Sequence, residues 1–456
     1  MVPYWLCAGS LLLLVQHAAA DLSYEEFYAT KLRKQAADEI VDEPLLKLGI
    51  GSCQKVDLDL KRVYDSIVRY DPDMFLFTGD VVYAANGCCE PHCLKTVYDK
   101  LTSSSAYQQF ARSMKRIEAI YDDHDFGIND GDGAFKYKEF SQKYLMDFLN
   151  KPHDHYRRRR KGSYFSVLFR DPNNAKNTVK LIVLDVRYHR SCFYYCPCQT
   201  CLWKPKHMSL FIYHRLINFI LGLGWDHDGD VLGEEQWHWL EGQLHNSEAE
   251  SHIIVSSMQI FTRYAITESW GLLPRAKDRL VNLMLATKPK NPIFVSGDVH
   301  YGEIDVMDGV VEITASSLTH SILELGRSPY RPFPLSVYFI RKNPYMYNNF
   351  GGIEYEFDST KGVLKWEVKL FNADGEVVDT FKNDGTMDPR AVYEDLDKKH
   401  KSFFKNTRIV RRRGILFLMA LVYLMCCAVS WMVLIPYIIF SYLLNKVTRQ
   451  HKEKTH

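Results

Sequence analysis

Met74-Phe75-Leu76-Phe77-Thr78-Gly79-Asp80-Val81-Val82-Tyr83 is the stretch on which the reading of this chain turns. Met74–Phe77 is a short apolar strand that stops in Thr78-Gly79-Asp80, turn chemistry with a carboxylate just past the strand end. The spacing Asp80-x-x-Tyr83 lets both side chains turn toward one centre. One such cluster is ordinary, but the form recurs. Leu45–Ile50 ends in Gly51-Ser52-Cys53, Arg116–Tyr121 runs into Asp122-Asp123-His124-Asp125, and Ile293–Val295 ends in Gly297-Asp298-Val299-His300. Ligand sites of α/β sheets gather at strand C-termini, where rigid strands hold side chains that loops aim. Carboxylate, thiol, phenol and imidazole together suit metal ions: thiolate and phenolate a ferric-type ion, carboxylates a hard divalent one.

Around these four strands the chain reads as one α/β domain. Tyr164–Phe169, Val179–Leu184, His252–Val255, Val310–Thr314, Ile353–Phe357 and Val363–Leu370 read as further strands. Leu60–Tyr70 and Gly233–Leu244 read as helices, the second with Glu234 and Glu235 early, where the helix dipole favours acids. There is no internal repeat and no Pro- or Ser-rich linker. The 456 residues carry 57 basic and 55 acidic side chains, a net charge of +2 that argues against nucleic acid as the main partner.

The ends point to a membrane. Residues 1–20 have the apolar core and the Ala18-Ala19-Ala20 exit of a signal peptide. Gly414–Leu444 is 31 residues without a charged side chain, about 45 Å as a helix and long enough to span. The expected organisation is therefore a signal peptide (1–20), an N-terminal extension (21–45), a catalytic domain (46–385), a basic juxtamembrane stalk (386–413), a transmembrane helix (414–444) and a cytosolic tail (445–456). That makes a single-pass type I protein with its large domain lumenal or extracellular.

The motifs in order are Gly51-Ser52-Cys53-Gln54, Gly79-Asp80-Val81-Val82-Tyr83, Asp122-Asp123-His124-Asp125 through Asn129-Asp130, Leu184-Asp185-Val186-Arg187 with Arg190, Leu232–Leu240, and Ser296–His300. Together they resemble the alkaline phosphatase D (PhoD-like) family of metallophosphoesterases, relatives of the purple acid phosphatases, over about residues 46 to 372. The resemblance implies a four-layer αββα sandwich of two mixed β-sheets and hydrolysis of phosphomonoesters or phosphodiesters by metal-hydroxide attack. It implies Fe3+ held by Cys53, Asp80, Tyr83 and His300, with Asp80 bridging to a second site at Asp123 and Asp298. The second ion is Ca2+, with Mg2+ or Zn2+ as substitutes. Arg187 is implied as the phosphate clamp, and His124 as a phosphate ligand or leaving-group acid kept protonated by Asp123 and Asp125. Ser256-Ser257-Met258-Gln259 stands where purple acid phosphatases carry a further histidine, which leaves the divalent site rich in oxygen. The rival reading is a catalytically idle receptor or scaffold on the membrane.

Other features have plainer readings. Asp226–Asp230 alternates acids like a calcium loop but fails the EF-hand spacing, and reads as an acidic turn. Arg157–Arg160 with Lys161 reads first as a solvated basic loop, with a protease site or anion patch as alternatives. Of eleven cysteines, seven remain after Cys7, Cys53, Cys426 and Cys427 are set aside. Cys88, Cys89, Cys93, Cys192, Cys196, Cys198 and Cys201 are expected to form disulfides near the site entrance, the odd one free or paired between chains, with zinc as the alternative for the Cys192–Cys201 cluster.

Overall fold

The computed structural model describes residues 36–84, 90–193, 227–262, 267–307, 310–323, 344–358, 363–385 and 391–398, with isolated residues between 215 and 224 and between 419 and 440. Thirteen strands among them form two sheets. The first contains β1 (Glu39–Val41), β5 (Phe165–Asp171), β6 (Asn174–Val183), β7 (Ser251–Val255), β8 (Pro292–Ser296), β10 (Val310–Ala315) and β9 (Gly302–Met307), side by side in that order. The second runs β13 (Val377–Asn383), β12 (Val363–Asn372), β11 (Asn349–Asp358), β2 (Lys47–Gly51), β3 (Met74–Thr78), β4 (Ile117–Ile120). Both sheets are mixed. β2, β3 and β4 are parallel, as are β6, β7, β8 and β10 and the edge pair β1 with β5, while the remaining pairs are antiparallel.

Three apolar cores make the layers. Leu48, Ile50 and Leu76 of one sheet meet Val167, Leu181, Ile253 and Ile293 of the other in a sheet-on-sheet core. Outside the six-stranded sheet, Phe75, Phe77 and Ala119 pack against α1 (Leu60–Tyr70), α2 (Pro91–Ser103), α3 (Ser105–Ser113) and α5 (Lys138–Phe148). Between them in the chain lies the single turn α4 (Asp123–Phe126). Outside the seven-stranded sheet, Ile182, Ile254 and Phe294 pack against α7 (Gly233–Leu244) and α8 (Pro274–Thr287). Helix, sheet, sheet, helix is the expected αββα order. Strands β3, β7, β8 and β10 are buried along their whole length, the consequence of a sheet covered on both faces.

Three placements differ from the sequence reading. The sheet begins before residue 46: β1 pairs in parallel with β5, a strand too short to announce itself by periodicity. Part of the polar stretch read as a stalk, residues 391–398, is helical and seats Val392, Tyr393 and Leu396 in the core beside α8. The Tyr393 hydroxyl donates to the Pro289 carbonyl at 2.6 Å.

The Arg157–Arg160 run, largely the turn α6 (Tyr156–Arg159), is not a solvated loop. Arg157 is fully buried, donating to Glu118 at 2.8 Å, the Ala119 carbonyl at 2.8 Å and the Ser163 carbonyl at 3.2 Å. Arg158 is tied to Asp147 and Arg160 to Asp38. Carboxylates contributed from distant parts of the chain neutralise the run, which its local sequence could not show.

Among the described residues no helix is long and apolar enough to cross a membrane. Most of the 414–444 run, the signal peptide and five of the seven clustered cysteines lie outside the described residues; the described pieces 421–425 and 435–440 are helical and exposed.

Candidate metal centre

The parallel strands of both sheets point their C-termini at one place. Cys53 follows β2, Asp80 follows β3, Asp122 and Asp123 follow β4, Ser257 follows β7, Asp298 and His300 follow β8, and Ser316 follows β10. The turns are tight enough to leave the ordinary backbone regions. Cys53, Asp80, Asp298 and His300 all have positive φ, of 58°, 50°, 71° and 61°. That conformation is uncommon outside glycine, Asn and Asp, and it clusters where structure is strained for function. Gly79, at φ 110°, lies so close to the next strand end that a Cβ would stand 2.5 Å from that of Asp122.

Two ligand sets result. Cys53, Asp80 and His300 offer donor atoms within 4.8 Å of one another. Tyr83 joins them, its hydroxyl donating to Asp80 Oδ2 at 2.7 Å. Cys53 Sγ lies 3.6 Å from the same oxygen and 3.1 Å from Ser316 Oγ. The His300 Nδ1 sits 2.8 Å from the His320 carbonyl, so it carries the proton and leaves Nε2 as the ligand atom. The second set is carboxylate alone: Asp122, Asp123 and Asp298 within the same 4.8 Å, continued by Asp123, Asp130 and Glu268. Asp80 also groups with Asp123 and His124, which places it between the two sets.

Electrostatics agree with a place built for cations. Burial, then the charges of Cys53, Asp123, Asp122 and Asp125, raises Asp80 well above the usual carboxylate range. Burial with Asp122, Glu268 and Asp123 does the same to Asp298. Burial pushes the Cys53 thiol up to about 11. Asp122 Oδ2 and Asp123 Oδ1 are buried and accept no hydrogen bond from any described residue. Buried carboxylate oxygens are expensive to leave unpartnered, so these residues fit bound metal. The all-oxygen set suits a hard divalent ion, and the set with thiol, phenol and imidazole a softer or ferric one.

The other candidates have definite places. Asp125 is a cap: it accepts from the backbone amides of Asp122 at 2.5 Å and Val81 at 3.0 Å. Asp185 accepts from the amides of Arg187 and Tyr188, both at 2.9 Å. Ser257, at the end of β7, donates to Asp122 at 2.6 Å. Arg187 reaches the site but does not open onto it. Its Nε donates to Asp122 at 2.6 Å, Nη1 to Glu268 at 2.5 Å and to the Gly131 carbonyl at 3.3 Å, and Nη2 to Glu268 at 3.2 Å, with no exposed surface. His124 packs on Tyr83 with ring centres 4.3 Å apart. Burial lowers its pKa from the usual histidine value, and the neighbouring Asp123 charge acts in the opposite direction. Sequence reasoning missed Asp122, Glu268 and Ser316, and left Asp130 open between a further carboxylate of the site and a surface turn. Asp122 lay inside a quoted motif, whereas Glu268 and Ser316 had no pattern around them.

The family model of the PhoD-like phosphatases matches residues 176–364, in agreement with the resemblance carried by the motifs. No curated protein matches the chain. Among solved structures, PhoD shares 14% identity at TM-score 0.48, covering 80% of this chain and 78% of its own. GAP50, the anchor in the inner membrane complex of Plasmodium, shares 14% identity at TM-score 0.44, covering 78% of this chain and 95% of its own.

Proposed function

Taking the chain as a PhoD-like phosphatase, the family matched over residues 176–364, we propose that it is a metal-dependent hydrolase of phosphomonoesters or phosphodiesters. The observation that carries this is the convergence of Cys53, Asp80, Tyr83 and His300 with Asp122, Asp123 and Asp298 at the strand ends, two carboxylate oxygens accepting no hydrogen bond from any described residue. In this reading Cys53, Asp80, Tyr83 and His300 hold a ferric ion, and Asp122, Asp123 and Asp298 hold Ca2+ or Mg2+, with Asp80 between. Ions held there supply Lewis acidity that offsets charge on the phosphoryl oxygens.

The chain's own groups do the rest. Arg187 fixes Asp122 and Glu268 and balances their charge, acting on the substrate through them. His124, half-buried on the face of Tyr83, is placed to donate an N–H to a phosphoryl oxygen. Ser316 holds the Cys53 sulfur and accepts from the His300 amide at 3.0 Å, keeping two strand ends in register.

The same proposal includes the membrane. A leader at residues 1–20 and the uncharged run 414–444 support a type I anchor with the catalytic domain outside the cytosol. Protease treatment of sealed membranes tests it: digestion from the cytosolic side should remove only the tail. Elemental analysis of the purified protein beside Asp80→Ala and Cys53→Ala tests the centre. Bound iron with a visible charge-transfer band that Tyr83→Phe removes supports the ligand set; wild-type protein without transition metal refutes it.

A further inference from the structure

Around the wholly buried Cys53 sulfur stand Ser316 Oγ at 3.1 Å, Ser52 Oγ at 3.5 Å and Asp80 Oδ2 at 3.6 Å. Cysteine binds metal as the thiolate, which has no hydrogen of its own, so a hydrogen bond to it needs a donor on the other side. Asp80 as a metal-bound carboxylate has none to give, and accepts from the Tyr83 hydroxyl at 2.7 Å. The single hydroxyl hydrogen of Ser52 goes to the Ala315 carbonyl at 3.3 Å. Ser316 remains as the donor, and it has the shortest contact.

The surroundings of Ser316 fix that direction. Its oxygen already accepts from the His300 amide at 3.0 Å. A hydroxyl that accepts is polarised to donate more strongly. The group thus ties together the turns that carry two candidate ligands, Cys53 and His300, both held at positive φ. Backbone bonds hold the same turns in place: the Ser52 amide donates to the Ala315 carbonyl at 3.0 Å, Leu318 to the Ser52 carbonyl at 2.9 Å and His320 to the Cys53 carbonyl at 3.0 Å. The next residue supplies the contrast. Ser317 is buried too, yet its Oγ has no hydrogen-bond partner among the described residues.

We propose that Ser316 is a positioning residue whose hydroxyl donates to the Cys53 thiolate and draws charge from the sulfur. This rests on the metal-dependent reading above and assigns a group that sets how strongly Cys53 donates to a metal. Hydrogen bonds to ligating sulfur and to ligand side chains tune both the affinity and the electronics of the ion held.

The test uses the purified full-length chain, stripped by chelation and titrated with Co2+, whose sulfur-to-cobalt charge-transfer band reports on the thiolate whatever metal is native. Ser316→Ala should weaken Co2+ binding about tenfold or more and move the Cys53-dependent band to longer wavelength, because a sulfur without its donor gives up charge more readily. Ser316→Thr, which keeps the hydroxyl, should restore both. Ser317→Ala removes a buried hydroxyl from the same turn and should match wild type. In unaltered protein, the cobalt–sulfur stretch in resonance Raman spectra should shift in D2O, a readout that needs no variant to fold. A band unmoved in Ser316→Ala, a shift equally large in Ser317→Ala, or a stretch indifferent to D2O would each overturn the assignment. A wild-type band that persists unchanged in Cys53→Ala would instead remove Cys53 from the ligand set, a distinct outcome.

Discussion

Replacing Arg157 with methionine removes a buried charge while roughly keeping its length. The arginine gives up hydrogen bonds to Glu118, the Ala119 carbonyl and the Ser163 carbonyl, and a guanidinium 3.9 Å from the Phe165 ring centre. Removing one partner of a buried ion pair costs about 3–5 kcal/mol, because the other charge stays buried. Glu118 keeps Lys151 at 2.7 Å and Arg116 at 3.1 Å, which places the loss at the low end, about 3 kcal/mol. The assay is a urea denaturation series, reading the midpoint at constant slope. Arg159→Ala is the internal control. Arg159 is exposed and donates only to the Asp154 carbonyl among the described contacts, so its loss should stay within about 0.5 kcal/mol. Equal, small effects at both positions would mean that the run is a solvated loop and the burial argument is wrong.

Gly79→Ala must fit a Cβ 2.5 Å from Asp122 at φ 110°; a stability loss of about 3 kcal/mol is expected, with reduced metal content by elemental analysis. His252 lies buried between the Lys290 carbonyl and Ser247, and burial lowers its pKa from 6.5 to about 4. The unfolded state therefore binds the extra proton between those values, so stability is full above pH 6.5 and falls toward pH 4, by about 3 kcal/mol. His252→Gln should flatten that slope in pH-dependent denaturation curves. Chelation should lower the melting temperature, since metal at a hundredfold excess over its Kd stabilises by about 3 kcal/mol; an unshifted melt would speak against a resident ion.

The strands that carry the site were legible because a strand covered on both faces must be continuously apolar, and Met74–Phe77, Ile293–Val295 and His252–Val255 are nearly so. Their polar ends were legible for the complementary reason: Asp80, Asp123, Asp298 and His300 interrupt those runs abruptly. What escaped was anything fixed by contacts between distant segments. Glu268 is held at the site by Arg187 and Arg190, at 2.5 and 3.3 Å. The same holds for Ser316 and His320, which reach Cys53 and His300 through the turn after β10. The burial of Arg157 and the lowered pKa of His124 depend on how much water the fold excludes, which local sequence does not record. Arg187 was correctly placed beside the centre, but the carboxylates that occupy its nitrogens come from Asp122 and Glu268, 65 and 81 residues away.

The most direct measurement is the rate of p-nitrophenyl phosphate hydrolysis by the purified chain as isolated, after chelation, after metal is restored, and in Asp80→Asn. The account predicts hydrolysis that chelation abolishes, that metal restores, and that Asp80→Asn lacks under every condition. A metal-loaded wild-type protein without activity, or an Asp80→Asn variant as active as wild type, would contradict it.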